Sequence, residues 1–135
     1  MPKYLLDASA IYPLILRLRE KILELTPNLF ILDLTVYEVG NAVWKGFKLG
    51  FIRNPIAVME LFSRLMSSLN TISIRGNEAR ILELAISEGL TFYDASYLYV
   101  AKSKGMKLVT EDRDLLRFSE AISVDKFIDE LKFEV

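Results

Sequence analysis

The sequence predicts an α/β domain with a mainly parallel, roughly five-stranded sheet covered by helices on both faces. Three observations predict it. Apolar runs of strand length recur along the chain, longer segments of helical period separate them, and Gly, Pro or Asn stands at the junctions. Strands buried on both faces read as continuous apolar runs, and strands joined by helical crossovers lie parallel. A length of 135 residues gives room for one core, so residues 1–135 are read as a single domain without repeat, linker or low-complexity segment.

Lys3 to Asp7 is the first strand, its apolar residues Tyr4, Leu5 and Leu6 ending abruptly in an acid. Ser9 is an expected N-cap for the apolar helix Ala10 to Leu18, and Arg17 to Glu24 keeps a helical spacing until Thr26-Pro27-Asn28. Leu29 to Leu32 is the second strand. Thr35 is expected to cap the next helix, with Glu38 at the capping-box spacing and Val36, Val39, Val43 and Phe47 following, up to Gly50. Asn54-Pro55 opens another helix, on which Val58, Phe62, Leu65 and Leu69 form an apolar stripe. The stripe reads first as core packing and second as a groove for a partner chain. Thr71 to Ile74 is the third strand and Asn77 to Glu88 a helix ended by Gly89. Tyr93 to Lys104 is a helix stopped by Gly105, and Lys107 to Thr110 is the fourth strand. A short turn or helix spans Arg113 to Phe118, Ala121 to Val124 is a short fifth strand, and Asp125 is expected to cap a last helix, Lys126 to Leu131.

The chain contains no Cys and no His, which excludes thiol catalysis, Cys or His zinc sites and Ser-His-Asp triads. A metal would have to be bound through carboxylate oxygens, which points to a hard ion such as Mg²⁺ or Mn²⁺. The net charge of −1 gives no bulk attraction for nucleic acid, so such binding would need a local basic patch. Apolar residues make up 52% of the chain, an excess that hints at surface covered by another chain. The apolar runs are too short to span a membrane and Asp7 interrupts the N-terminal one, so a cytoplasmic protein is expected.

Ligands of open α/β sheets bind outside the carboxyl ends of the strands. Asp7 stands at such an end, Thr110 to Asp112 at another, Glu38 early in the helix after the second strand, and Asp94 at the opening of a helix. Singly, each acid also reads as a turn or cap residue. Ser9 and Thr91 are expected to take the capping duty from Asp7 and Asp94, and an apolar strand ending in an unpaired carboxylate would be costly. Together, four carboxylates at one sheet edge repel each other unless a cation lies among them.

These segments resemble the motifs of the PIN domain. Leu5-Leu6-Asp7-Ala8-Ser9-Ala10 is similar to its opening motif and Thr35-Val36-Tyr37-Glu38-Val39-Gly40-Asn41-Ala42 to its second. Leu90-Thr91-Phe92-Tyr93-Asp94-Ala95-Ser96-Tyr97 is similar to the third, and Leu108-Val109-Thr110-Glu111-Asp112-Arg113-Asp114-Leu115 to the fourth. The motifs cover almost the whole chain, whose length most resembles the toxin half of VapBC toxin–antitoxin pairs. The resemblance implies a three-layer α/β/α sandwich, Mg²⁺ or Mn²⁺ dependence, hydrolysis of RNA, a homodimer and a small antitoxin that blocks the site. It carries the family's acids to Asp7, Glu38, Asp94 and Asp112 and its supporting polar positions to Ser9, Asn41 and Thr110, with Asp114 as helper or as rival for the fourth acid. Asp7, Asp94 and Asp112 are the expected metal ligands, and Glu38 the residue orienting the attacking water. Lys45, one turn beyond Asn41, and Arg113, beside Asp112, are the candidate substrate contacts. Trp44 and Tyr97 are read as core or interface aromatics before base-stacking ones.

Two related doubly wound folds fit worse. Receiver domains need paired acids after the first strand and an Asp after the third, where Ile74-Arg75-Gly76 has none. Haloacid dehalogenase-like phosphatases need a second Asp where this chain has Ser9. A PIN fold used in RNA processing, or kept for binding without cleavage, remains open.

Overall fold

A computed structural model describes residues 1–134 of the chain. Five strands form the sheet: β1 (Tyr4–Leu6), β2 (Leu29–Leu32), β3 (Asn70–Ile72), β4 (Lys107–Val109) and β5 (Ala121–Ile122). Their order is β3-β2-β1-β4-β5 and every pair is parallel. The helices are α1 (Ala8–Leu18), α2 (Ile22–Leu25), α3 (Asp33–Lys48), α4 (Pro55–Ser68), α5 (Glu78–Glu88), α6 (Phe92–Lys104), α7 (Arg113–Leu116) and α8 (Val124–Glu134). None is long and apolar enough to cross a membrane.

Alternation along each strand divides the core into two layers. Tyr4, Leu6, Leu29, Ile31 and Val109 pack with α1, α3, α4 and α8 through Ile11, Leu14, Val39, Phe62 and Phe127. Leu5, Leu32 and Leu108 face the opposite way, against Tyr97, Leu98 and Val100 of α6 and Leu115 of α7. This is the expected three-layer sandwich. The α4 stripe is core: Phe62, Leu65 and Leu69 are buried, Val58 packs against them, and Leu61 points out.

From β1 the chain steps outward through β2 to β3, then crosses by α5 and α6 to β4 on the other side of β1. The direction of winding therefore reverses between β1 and β4, and their C-terminal ends form the crevice where ligands bind in such sheets.

Three helix starts shift by two or three residues for a shared reason: β1, β2 and β5 feed into helices with almost no connecting turn. Helix α1 starts at Ala8, so its cap is Asp7 and not Ser9. Helix α3 starts at Asp33, which makes Thr35 a first-turn residue whose hydroxyl accepts from the Leu32 N–H at 3.1 Å. Glu38 then lies in the second turn and is no capping-box partner. Helix α8 starts at Val124, which shortens β5; Ser123 Oγ accepts from Lys126 N, and Asp125 instead pairs with Arg17 at 2.5 Å. The third strand lies at Asn70–Ile72, where the Asn70 amide reaches the carbonyl of Leu29 at 3.1 Å. The helical stretch after Leu18 is broken at Arg19, whose φ is +50°, and the bend turns Ile22 into the core. Gly89 and Gly105 end α5 and α6 in the left-handed conformation, as expected.

Candidate active site

Leu6 pairs with Val109, so the residues that follow them, Asp7 and Thr110, come off adjacent strands side by side at the switch point. Asp7 is only 5% exposed and its backbone N–H donates to the Val109 carbonyl at 3.3 Å. Burying a carboxylate is tolerable only if its oxygens are satisfied. Oδ1 accepts from Ser9 Oγ at 2.6 Å and from Ala10 N at 3.2 Å, and Oδ2 accepts from Thr110 Oγ1 at 2.5 Å.

Each hydroxyl has one proton, and each spends it on Asp7. Their lone pairs are then free to accept: Ser9 Oγ takes the Glu111 N–H at 2.9 Å and Thr110 Oγ1 takes the Asp112 N–H at 3.0 Å. Two directed chains thus run from the backbone after β4 through a hydroxyl to Asp7. They fix the Glu111–Asp112 peptide against Asp7 and set where Asp112 stands. Ser9 serves this bridge, not a helix cap.

Glu38 is held by a third chain. Leu32 N donates to Thr35 Oγ1, which lies 2.8 Å from Tyr97 OH, and Tyr97 OH lies 2.5 Å from Glu38 Oε1. Because the phenol donates to the carboxylate, the Thr35 hydroxyl must donate to the phenol. The result orients Glu38 from the buried side of the sheet. Tyr97 is 1% exposed, which agrees with its reading as a core aromatic, but its hydroxyl is part of the site. Sequence reasoning missed this function. The available signal was spacing: Tyr97 follows Asp94 by three residues and so shares its face of α6.

Asp94 sits in the first turn of α6, where its N–H donates to Thr91 Oγ1 at 3.1 Å, so Thr91 is the cap as expected. Asp112 caps the short α7 by accepting from Asp114 N at 2.8 Å. Asp94, Asp112 and Asp114 can present oxygens that all lie within 4.8 Å of one another. An open pocket brings together Asp7, Ser9, Glu38, Asn41, Lys45, Asp94 and Asp112, with Tyr97 in its wall. Thr110 stands behind Asp7. Arg113 is exposed and Trp44 is 55% exposed, and neither lines the pocket.

Electrostatics mark the pocket as incomplete by itself. Burial pushes Asp7 up to about 6 against the lowering effect of its hydrogen bonds, and the Glu38 charge adds to the rise. Burial, then the charges of Asp112, Asp7 and Asp114, push Asp94 up to about 6. Burial also raises Glu38, with Asp94 and Asp112 adding to it while the Tyr97 hydrogen bond opposes. Crowded hard oxygen donors whose charges oppose each other are the donor set of a divalent cation, which would relieve that repulsion. The residues present fit such an ion.

Comparison with known proteins agrees with this geometry. The profile of the PIN domain matches residues 4–121. Exonuclease VapC9 of Pyrobaculum aerophilum is 42% identical over 127 residues, covering 93% of each chain. Ribonuclease VapC3 of the same organism is 33% identical over 120 residues, covering 84% of this chain and 92% of its own. The crystal structure of PAE2754 from Pyrobaculum aerophilum superposes with a TM-score of 0.89 at 40% identity, covering 97% of both chains.

Proposed function

The chain belongs to the PIN-domain family, and from that premise we propose that it is an Mg²⁺- or Mn²⁺-dependent endoribonuclease, the toxin component of a type II toxin–antitoxin pair. The observation that carries this reading is the convergence of Asp7, Glu38, Asp94 and Asp112 on one pocket at the switch point of the sheet. The VapC names of two relatives support the toxin role, and with it a small antitoxin as partner. A homodimer would cover exposed apolar side chains such as Tyr37 and Ile86, which are 79% and 75% exposed.

Asp94 and Asp112 would hold the ion together with Asp114, whose oxygens come within 4.8 Å of theirs, and with Asp7, which lines the same pocket but stands outside that trio. When bound, a divalent ion supplies charge stabilisation at the phosphate and lowers the pKa of water. The protein's own groups do the rest. Glu38 has Oε1 engaged by Tyr97, which leaves Oε2 to orient the attacking water and accept its proton. Asn41 lies one turn from Glu38 on the pocket wall, and its amide can donate to a phosphate oxygen. Lys45, one turn further, places an ammonium at the pocket rim to pair with the phosphate. Ser9 and Thr110 keep Asp7 and the loop bearing Asp112 in register.

An open pocket has room for a strand without a free end, which supports the endonuclease reading although one relative is named an exonuclease. A circular single-stranded RNA should be opened to a linear product in Mn²⁺ or Mg²⁺ and remain intact in EDTA. Degradation of linear RNA alone, or cleavage that persists in EDTA, would overturn the respective half of the proposal.

Tyr97→Phe removes the donor to Glu38 and leaves Thr35 without its acceptor. It should lower kcat by about tenfold with KM little changed, and destabilise the fold by about 1–2 kcal/mol. Urea denaturation alongside steady-state kinetics separates the two effects. A loss of stability without any loss of kcat would reduce the phenol to a packing role.

A further inference from the structure

The acid pocket does not end at its own rim. Ala42 is shared with a second cleft of about 460 Å³ between α1 and α3, lined also by Tyr12, Val43, Phe51, Arg53 and Phe62. Its shape depends on Gly46. The chain after α3 folds back so that Phe51 N and Ile52 N both donate to the Gly46 carbonyl, at 2.8 and 3.1 Å. A Cβ at residue 46 would meet Ile52 Cδ1 at 2.7 Å, so glycine leaves the space in which the Ile52 side chain lies against the helix. The fold-back leaves Phe51 82% exposed beside Tyr12, which is 55% exposed, with exposed Arg53 between the cleft and solvent.

The charge distribution around the pocket is lopsided. Residues 39–59, which supply α3 beyond Glu38, the loop and the first turn of α4, contain no Asp or Glu, and neither does α1, although the chain as a whole has net charge −1. The cations on this stretch are Lys45, at the acid pocket, Lys48, and Arg53, in the second cleft. The opposite flank is mixed, with Glu111 and Asp114 on either side of exposed Arg113. A polyanion held at the acids meets mixed charge on the α7 side and, past Glu38, only cations and aromatic rings as charged or π-bearing groups toward the second cleft.

We propose that the Tyr12–Phe51–Arg53 cleft is a binding subsite for unpaired nucleotides flanking the phosphodiester held in the acid pocket. Lys45 and Arg53 pair with successive phosphates, and bases lie against Phe51 and Tyr12. Stacking needs an exposed ring face and an unpaired base, so the subsite selects single strands over duplex. It deepens the nuclease reading and rests on it for the identity of the polyanion.

Fluorescence anisotropy of a labelled oligouridylate of about 12 nucleotides, with the intact chain in EDTA, reads binding without cleavage. Phe51→Ala and Arg53→Ser should each weaken binding about tenfold, and Arg53→Ser should reduce the salt-dependence slope by about 0.7. Trp44→Ala, an aromatic as exposed as Tyr12 but outside both clefts, should change affinity less than about twofold. A duplex of equal length should bind more weakly than the single strand and be insensitive to Phe51→Ala. Unchanged affinity in both cleft variants overturns the proposal, and if their mass in light scattering shifts as well, the surface is a protein interface. An equal loss in Trp44→Ala also overturns it. RNA held through the cleft by a chain that cuts nothing in any metal would sink the cleavage reading and leave this one standing.

Discussion

Asp94→Asn is expected to lower RNA cleavage by about a thousandfold at saturating Mn²⁺ and to weaken Mn²⁺ binding measured by calorimetry. Asp94 is the clean acid to remove. Burial, and then the repulsion of its neighbours, raise its pKa, so a neutral amide of the same shape relieves strain in the metal-free protein. Its side chain caps nothing, because Thr91 holds that duty. Asp7→Asn would be a poor test by comparison. Both oxygens of Asp7 already receive a hydroxyl proton, and an amide nitrogen in place of either would set donor against donor inside the core. The metal-free Asp94→Asn protein should be at least as stable as the parent at pH 7 by thermal melting. Retained activity in a folded Asp94→Asn variant would remove Asp94 from the reaction.

The second large effect is a pH-dependent metal stabilisation. The folded state holds Asp7 at about 6 against an ordinary value of 3.8. Between those values the folded protein binds more protons than the unfolded chain, so its stability is full below about pH 4 and falls as pH rises through 6. For Asp7 the loss approaches about 3 kcal/mol. Asp94 shifts in the same direction and contributes less, because solvent screens a half-buried group. A divalent ion competes for the same oxygens and binds only when they are deprotonated. The metal-free Tm should therefore fall between pH 4.5 and 7 through these two groups, by about 5 °C or more. Millimolar Mn²⁺ should restore it at pH 7.5 and do almost nothing at pH 4.5. An equal shift at both values would mean that Mn²⁺ acts somewhere other than at Asp7 and Asp94.

The sheet was legible because its strands are buried on both faces. Tyr4–Leu6 and Leu29–Leu32 read as unbroken apolar runs, and the glycines at 89 and 105 mark helix ends through their left-handed conformation. Strand order was not legible from local pattern. The pairing of β1 with β4 joins residues about a hundred positions apart, and no local signal records it. The helix starts were misplaced because a strand running straight into a helix makes its own last residue, or the next, the cap. Asp7 therefore caps α1, and Thr35 reaches back to Leu32.

The acids were legible as motif positions, but the direction of hydroxyl protons was not. Ser9 reads locally as a cap, and its actual partners, Asp7 and Glu111, become visible only when β4 lies beside β1. Tyr97 reads as an apolar ring, and the value of its hydroxyl depends on Glu38 arriving from a helix 59 residues earlier. The exposed Trp44, Tyr37 and Phe51 fit the expectation that apolar content exceeds what the core alone needs.

A crystal of the protein soaked in Mn²⁺ at pH 7.5 and measured at the manganese absorption edge tests the metal site most directly. The expected result is an anomalous peak in the pocket, bound by at least two of Asp7, Asp94, Asp112 and Asp114, and absent from a crystal soaked at pH 4.5. Manganese found only at surface carboxylates outside that pocket, in a protein that still cleaves RNA, would contradict the assignment of these acids to the reaction.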